Sequence, residues 1–178
     1  MHDPAFTNLP MISRLPQSTG EDSFLAETMN TPGTIPHLLA YYRTPDFSAS
    51  SRDASRSKSI EEVRWLLHLG DKLNGWPNVM HGGMQSFILD EIMAFMLGCG
   101  KRVEGAVPLA LNTVTAELKV RYLRAFVTPS VVVVGARVVR REGRKLWTEA
   151  EVRSEKGVVL ASAEALFISI QPGTGPKM

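Results

Sequence analysis

The sequence predicts an α+β domain in which a curved antiparallel β-sheet wraps around one long central helix. An apolar segment over residues 83–98 has a glycine at each end and no proline inside, which is typical of a buried helix. From Leu109 onward, segments rich in branched apolar residues follow one another, as in β-strands. Short turns containing glycine separate the last of these segments, which favours an antiparallel meander. Such a sheet buries its apolar face by curling around the helix.

The first third of the chain differs in composition from the rest. Six of the eleven prolines fall between Pro4 and Pro45, and the stretch 48–59 is rich in serine. We expect residues 1–22 to form an arm and residues 23–45 to pack on the core as short helical or irregular pieces. The serine-rich stretch should be a mobile loop. The predicted organisation is an N-terminal extension with this loop over 1–58, the folded domain over 59–171 and a C-terminal tail over 172–178.

Residues 60–70 fit two kinds of secondary structure. Ser59 and Glu62 match a helical capping box, and apolar residues follow at helical spacing. The alternation that begins at Val63 and Trp65 fits a half-buried strand equally well. Local pattern leaves both possibilities open.

The helix over 83–98 is apolar on more than one side. Its main apolar stripe consists of Met84, Phe87, Ile88, Ile92, Phe95 and Met96. Gly98 and Gly100 supply its stop. One sheet cannot cover so much apolar surface, so we expect a partner subunit to cover the rest.

Four strands are predicted after the helix. They cover 114–122, 131–139, 146–153 and 158–170, with turns at 141–143 and 155–157. In the first strand, Thr115 and Arg121 alternate with a set that includes Val114 and Tyr122. The two sets should therefore face opposite sides of the sheet.

Composition argues against several classes of function. The 178 residues carry a net charge of +2, which is too small to indicate a nucleic-acid or membrane-surface partner. No apolar run reaches the ~20 residues needed to span a bilayer, and we expect no secretion signal. Because Cys99 is the one cysteine, we expect a reducing, cytoplasmic location, with a mitochondrial one as the alternative. The histidines and the cysteine show no metal-ligand spacing, and we expect neither a metal nor a cofactor.

His81, Gly82 and Gly83 lie where the loop becomes the helix. The glycines let a ligand or another backbone approach closely, and the first helical turn has unpaired N–H groups. Those donors, together with the helix dipole, suit an oxygen that develops negative charge. A glycine-rich helix cap without chemistry explains the motif equally well.

Asp90 favours the functional interpretation of this motif. It follows Gly82 by eight residues, a little over two turns, on a helix whose other residues are mostly apolar. Burying an unpaired carboxylate is expensive, so its presence indicates either a catalytic or a structural purpose.

The side of the helix that carries Asp90 should face a cleft. Ser86, Met93 and Leu97 fall along the same side. Glu91 points about 100° away, and we predict that it is a surface or salt-bridged residue. A pocket on this helix would be lined by residues such as Met84, Phe87 and Met93, whose side chains adapt to different ligand shapes.

Four segments together strongly resemble the hot-dog acyl-CoA thioesterases of the PaaI-like group, which include enzymes like 4-hydroxybenzoyl-CoA thioesterase. They read LNGWPNVMHGGMQSFILDE, TAELKVRYLRA, REGRKLW and ALFISI, and the resemblance covers roughly residues 60–170. The eukaryotic thioesterase-superfamily branch and its fungal relatives look closest. The resemblance implies a hot-dog fold, and it makes 63–70 a strand. The segment 98–108 looks longer than in small bacterial relatives.

The resemblance also implies catalytic roles. The backbone N–H of Gly82 would polarise the thioester carbonyl. Asp90 would act as general base on water or as the attacking carboxylate. Thr115 matches a Ser or Thr that lies near the attacking water, on the strand of the partner subunit.

Further positions match substrate-binding residues of the family. His81 and Gly83 flank the carbonyl site, and Asn74 is the nearest match, one residue off, to an Asn that some members use. The positions that match contacts to the CoA portion are Arg121, Arg144 and Lys145, and basic groups there suit phosphates.

The predicted function is hydrolysis of an acyl-CoA or carrier-bound acyl or polyketide thioester by a homodimer or a dimer of dimers. One alternative is another enzyme on the same fold, such as a hydratase, a dehydratase or a polyketide-processing enzyme, for which His81 would have to face the cleft. The other alternative is a non-catalytic module that binds acyl-CoA. The sequence leaves the identity of the acyl group open.

Overall fold

The computed structural model describes residues 5–45 and 58–170. Nine strands and one α-helix organise these residues. The strands are β1 (Phe6–Leu9), β2 (His37–Arg43), β3 (Glu62–Leu69), β4 (Asn74–Trp76), β5 (Val79–Met80), β6 (Thr113–Tyr122), β7 (Ser130–Glu142), β8 (Lys145–Ser154) and β9 (Val159–Ser169). The helix α1 is Gly82–Gly98. Single turns of other helical types lie at Ile12–Arg14, Phe24–Thr28, Asp71–Leu73 and Cys99–Arg102.

Seven of the strands form one antiparallel sheet in the order β1-β2-β3-β7-β8-β9-β6, and β4 and β5 form a separate hairpin. The tight turns of the meander use glycines at positive φ, +53° at Gly143 and +75° at Gly157. β6 is an edge strand, because only β9 pairs with it. The helix lies against the sheet and contacts β3, β6, β7, β8 and β9.

One side of α1 forms the centre of the core. Its buried residues are Gln85, Ile88, Leu89, Ile92, Met93, Met96 and Leu97. Each large apolar side chain buried here contributes about 1.5–3 kcal/mol relative to an exposed one. The predicted helix is confirmed, but the predicted division of its sides is wrong for Met93 and Leu97. Both are fully buried against the sheet, and the Asp90 side carries Ser86 and Ala94 instead.

The ambiguity over 60–70 is resolved in favour of a strand. β3 pairs with β2 on one side and with β7 on the other, and it buries Val63, Trp65, Leu67 and Leu69. The alternation in the sequence is therefore that of a strand with one face in the core.

The segment before the serine-rich stretch contains two strands that the sequence did not predict. β1 and β2 extend the sheet beyond β3, so the expectation of an arm over 1–22 and of helical or irregular pieces over 23–45 is wrong at these strands. The division of the chain at residue 58 stays a prediction. Residues 46–57, which hold most of the serine-rich stretch, and the tail 172–178 lie outside the described residues.

The part of this segment between β1 and β2 packs on the outer side of α1. Phe24 meets Phe87 edge to face, with ring centroids 4.9 Å apart. The Arg14 guanidinium holds the segment together, because it donates to the carbonyl oxygens of Met29 (3.3 Å) and Ile35 (2.5 Å). The N-terminal segment thus covers a stripe of the helix that the sheet leaves open.

Candidate functional site

The first turn of α1 presents backbone N–H groups at the surface. His81 is the N-cap residue, and its Nδ1 accepts a hydrogen bond from the N–H of Gly83 at 2.9 Å. The N–H of Gly82 has no acceptor within the helix, and no hydrogen bond within residues 5–45 and 58–170 uses it. This N–H group is therefore available to a ligand.

The peptide that follows this N–H group is held by two hydroxyls. Tyr122 and Ser86 each donate to the carbonyl oxygen of Gly82 at 3.2 Å, and the two hydroxyl oxygens lie 2.8 Å apart. A Cβ added at Gly82 would lie 3.5 Å from the Tyr122 ring, an ordinary van der Waals distance. The structure itself therefore tolerates a side chain at position 82.

The β4–β5 hairpin packs beside His81 and brings Asn74 to the mouth of the helix. The N–H of His81 donates to the carbonyl oxygen of Leu73 at 2.8 Å. A Cβ at Gly75 would lie 2.8 Å from the His81 ring, so glycine is needed for this packing. The buried hydroxyl of Thr128 donates to Oδ1 of Asn74 and fixes the orientation of the amide.

Asp90 lies half-buried in the middle of α1, where β6 passes over the helix. Oγ1 of Thr115 donates to Oδ1 of Asp90 at 3.0 Å. Burial raises the pKa of the Asp90 carboxyl, and the hydrogen bond from Thr115 opposes this rise. Both residues belong to the same chain, whereas the resemblance implied a Thr115 from the partner subunit.

A β-bulge in β6 decides which side of the sheet Thr115 faces. The register with β9 shifts between Thr115 and Glu117, so Ala116 is an extra residue. Thr115 before the bulge and Tyr122 after it both contact α1. The prediction that these two residues face opposite sides is wrong, because one extra residue reverses the alternation.

Glu91 is largely buried, and the prediction of a surface or salt-bridged residue is wrong. Burial, followed by the nearby carboxylates of Asp22 and Asp90, raises its pKa to about 7. No ion pair reaches Glu91 in the part of the chain that the structure describes. The N-terminal segment lies beside Glu91 and contributes the carboxylate of Asp22.

Gly82 and Asp90 of one chain cannot act on the same carbonyl group. Eight residues of helix separate them by ~12 Å at a rise of about 1.5 Å per residue. A reacting atom must lie roughly 3 Å from both an oxyanion donor and the attacking group. Within one chain, the helix mouth and the Asp90–Thr115 pair are therefore two separate groups of residues.

Residues 77–161 match the family model of the thioesterase superfamily. The match covers 85 of the 178 residues, a little under half of the chain. The matched residues include Gly82, Asp90 and Thr115, while Asn74 lies just before them.

Two proteins are similar to this chain in sequence. Verlamelin biosynthesis protein B of Lecanicillium sp is 27% identical, over 87% of this chain and 74% of that protein. Acyl-coenzyme A thioesterase THEM4 of Xenopus laevis is 32% identical, over 65% of this chain and 49% of that protein. The chain therefore spans about three quarters of the first relative and about half of the second.

Solved structures show the same fold. A hypothetical thioesterase protein with coenzyme A from Streptococcus pneumoniae has a TM-score of 0.54 at 15% identity, covering 62% of this chain and 82% of that one. The E. coli PaaI protein has a TM-score of 0.54 at 14% identity, covering 63% and 75%. The predicted hot-dog fold and the resemblance to PaaI-like proteins are confirmed.

The predicted basic residues lie at two different places in the fold. Arg121 points to the opposite side of the sheet, where its guanidinium lies 2.5 Å from the Glu164 carboxylate. Arg144 and Lys145 are exposed at the β7–β8 turn. Within one chain, a contact between Arg121 and a substrate at Asp90 is therefore ruled out by the bulge that turns Arg121 outward.

Three further observations concern the cysteine, possible metal ligands and the length of the helices. Burial raises the pKa of the Cys99 thiol to about 12, so this cysteine is a poor nucleophile. Among the residues with described positions, no three His, Cys, Asp or Glu side chains form a group that could hold a metal ion. In the same ranges, no helix is long and apolar enough to cross a membrane.

Sequence reasoning missed Tyr122, Thr128 and Asp22. Tyr122 and Thr128 act through contacts with residues 36 or more positions away, and nothing in the local pattern indicates those contacts. Asp22 lies in the segment expected to be an arm. The one available signal was the position of Tyr122 at the end of the strand that carries Thr115.

Proposed function

We propose that this chain forms a homodimer that hydrolyses acyl thioesters, with each site built from the helix mouth of one subunit and the Asp90–Thr115 pair of the other. The observation that carries the proposal is the half-buried Asp90, held by Thr115, on a helix whose mouth offers an unused N–H group at Gly82. The match of residues 77–161 to the thioesterase superfamily supports the reaction class.

The distance between the two halves supports a dimer. A carbonyl that accepts from Gly82 lies ~12 Å along the helix from Asp90 of the same chain, so the attacking group has to come from a second copy. The edge strand β6 suits this assembly, because its unpaired backbone groups can extend the sheet into a partner. Val114 and Tyr122 on this strand are exposed apolar residues, and a partner strand would cover them.

In the proposed reaction, the N–H of Gly82 polarises the thioester carbonyl. Thr115 holds one oxygen of Asp90, and the other oxygen accepts a proton from water as the water attacks the carbonyl carbon. The tetrahedral intermediate then collapses, the carbon–sulfur bond breaks, and the proton passes from Asp90 to the departing thiolate. Direct attack by the carboxylate is the alternative, which forms an anhydride that water cleaves.

The substrate class that we propose is acyl-CoA, with a carrier-bound acyl group as the alternative. The relative named as an acyl-coenzyme A thioesterase and the structural neighbour solved with coenzyme A support this choice. We further propose that the exposed Arg144 and Lys145 bind phosphates of the CoA portion.

Two other candidates receive no support from the structure. A hydratase would need a free imidazole, but Nδ1 of His81 is used as the helix cap. A module that only binds acyl-CoA would not need a desolvated carboxylate aligned by a hydroxyl donor.

Release of free thiol from a panel of acyl-CoA and carrier-bound thioesters tests the proposal. Asp90→Asn should keep the fold and the affinity for substrate, because the amide is nearly isosteric and still accepts from Thr115. Its kcat should fall by roughly 10²–10⁴-fold, as for loss of a general base. Glu149→Gln makes the same chemical change on the outer face of the sheet and should leave kcat unchanged. Near wild-type kcat in Asp90→Asn would contradict the mechanism.

A further inference from the structure

The first turn of α1 begins with two consecutive glycines, Gly82 and Gly83. Glycine has more conformational freedom than any other residue, so the chain itself fixes the direction of these N–H groups only weakly. His81 accepts from the N–H of Gly83 at 2.9 Å, but the N–H of Gly82 has no acceptor in the part of the chain that the structure describes. An oxyanion donor is effective when it is held in place before the reaction. Gly82 therefore needs a support from outside the first turn.

Tyr122 at the end of β6 supplies such a support. Its hydroxyl donates to the carbonyl oxygen of Gly82 at 3.2 Å, and this bond joins residues 40 positions apart. Its ring lies beside Gly82, 3.5 Å from the position that a Cβ would take. Because the carbonyl oxygen and the free N–H belong to the same residue, an anchor on the first limits the motion of the second.

Ser86 gives the Tyr122 hydroxyl a second contact. Its Oγ lies 2.8 Å from that hydroxyl and 3.2 Å from the carbonyl oxygen of Gly82. Ser86 follows Gly82 by four positions on the same helix, so its own bond cannot connect the helix mouth to the rest of the fold. Of these two hydroxyl groups, that of Tyr122 is the one that connects the mouth to the sheet.

The bulge in β6 brings Tyr122 to the helix side of the sheet. In a regular strand, Thr115 and Tyr122 are seven positions apart and would face opposite sides. The extra residue Ala116 turns both of them toward α1. Bulges are frequent next to active sites, where they re-aim a side chain. One strand therefore holds Asp90 near one end through Thr115, and Gly82 near the other end through Tyr122.

We propose that Tyr122 is a positioning residue of the hydrolytic site, whose hydroxyl holds Gly82 so that its N–H points at the thioester carbonyl before the reaction begins. The inference rests on the proposed function, since it concerns the residue that carries the carbonyl donor. In this role Tyr122 acts through Gly82 and does not itself contact the substrate. A donor that is free to move has to be ordered in the transition state, which lowers the rate more than the affinity for substrate.

Tyr122→Phe removes the hydroxyl and keeps the ring beside Gly82. Thiol release is measured with the acyl-CoA that the wild-type chain hydrolyses fastest. The variant's kcat should fall about tenfold, which is part of the 10²–10³-fold that loss of the donor itself costs, and its KM should change by less than about twofold. Tyr41→Phe makes the same change on the outer face of the sheet and should leave both constants unchanged. An unchanged kcat in Tyr122→Phe, or a change in KM alone, would overturn the proposal.

Combination with Gly82→Pro shows whether Tyr122 acts through the N–H of Gly82. Proline has no N–H, so nothing remains for Tyr122 to position. In the Gly82→Pro background, Tyr122→Phe should cause no further fall in kcat, whereas independent contributions would multiply. An equal loss in both backgrounds would contradict the proposal, because it would indicate a purely structural role or a direct contact with substrate.

Ser86→Ala tests the second contact of the Tyr122 hydroxyl. Its kcat should fall by less than that of Tyr122→Phe, because the bond from Tyr122 to Gly82 remains. A larger fall would mean that Ser86 and not Tyr122 holds Gly82. Thermal unfolding identifies any variant that does not fold, and the comparison of kcat with KM in Tyr122→Phe decides the proposal without the others.

Hydrogen exchange at the helix mouth separates this inference from the proposed function. The backbone N–H of Gln85 donates to the carbonyl oxygen of His81 at 3.2 Å, so its exchange rate reports opening of the first turn. This rate should be at least about threefold higher in Tyr122→Phe than in the wild-type chain, as expected for loss of one hydrogen bond. Equal rates would overturn the inference whatever the thiol assay gives. Release of no thiol from any thioester would overturn the hydrolytic function instead.

Discussion

At the scale of single residues, the N–H of Gly82 can be tested almost in isolation. Position 82 is the first residue of α1, where proline is favoured because its missing N–H has no helical acceptor. His81 before it has φ −60° and ψ 135°, which is the extended conformation that proline requires of its predecessor. Gly82→Pro should therefore fold normally and lose the proposed oxyanion donor.

The expected result for Gly82→Pro is a loss of about 10²–10³-fold in kcat, measured by thiol release, with little change in melting temperature. Gly82→Ala is the matched control, because it adds the same Cβ at 3.5 Å from Tyr122 but retains the N–H. It should keep most of the activity. If both variants lose activity equally, bulk at position 82 and not the N–H is responsible.

Thr115 sets the acid limb of the pH profile if Asp90 is the base. Burial raises the pKa of Asp90, so activity should be lost on acidification at a pH above the usual range of an aspartate. The Thr115 hydrogen bond favours the ionised form. Thr115→Val should raise the pKa further and move the acid limb of kcat/KM to higher pH.

A pH profile of kcat/KM for wild type and both threonine variants measures this shift. Thr113→Val, two residues earlier on the same face of β6, removes a hydroxyl with no hydrogen bond to Asp90 and should leave the limb where it is. A limb that moves to lower pH in Thr115→Val, or that stays fixed, would show that Thr115 does not stabilise the Asp90 carboxylate.

At the scale of elements, the sequence pattern predicted the helix and the strands whose formation depends on their own residues. The 3.6-residue apolar period predicted α1, and alternation with glycine turns predicted the four strands after it. β1 and β2 were missed because their stability comes from pairing with a distant strand, such as Ala40 opposite Trp65, and not from their own proline-rich surroundings. The bulge at Ala116 was missed for a similar reason, since only the register with β9 reveals it.

For the same reason, the sequence predicted only part of the candidate site. Asp90 could be predicted because a carboxylate on an apolar helix is conspicuous in the sequence. The environment of Glu91 could not, because Asp22 reaches it from a segment 69 positions earlier in the chain.

Packing of the N-terminal segment against α1 should make stability depend on pH through Glu91. Its pKa is raised from 4.5 to about 7, so folding favours the protonated form. This contribution is fully present below about pH 4.5 and is lost as the pH rises through 7. Glu91→Gln should remove the loss and make the variant more stable than wild type by about 1–3 kcal/mol above pH 7.

Chemical denaturation of both proteins from pH 4 to 9 gives the difference in unfolding free energy directly. The difference should grow between pH 4.5 and 7 and then level off. Glu149→Gln, which changes an exposed carboxylate, should show no such growth. A pH-independent difference for Glu91→Gln would mean that folding leaves the pKa of Glu91 unchanged.

At the scale of the whole molecule, a site shared between subunits predicts that two inactive variants restore activity when they form a mixed dimer. In a heterodimer of Asp90→Asn and Gly82→Pro subunits, one site contains both substitutions and the other contains neither. Random mixing of equal amounts yields heterodimers as half of all dimers, each with one intact site of two. Denaturing and refolding the two inactive variants together should therefore restore about a quarter of the wild-type kcat per subunit, as the reciprocal contacts of a two-fold dimer require.

Each variant refolded alone is the control and should stay inactive, and size-exclusion chromatography of the mixture establishes that dimers have formed. If Gly82 and Asp90 served the same site within one subunit, both sites of the heterodimer would be defective. No activity would then return in the mixture, although the dimers were present. Recovery of activity is expected because ~12 Å of helix separate Gly82 from Asp90 in one chain. The two residues can therefore act on one carbonyl group only when they come from different subunits.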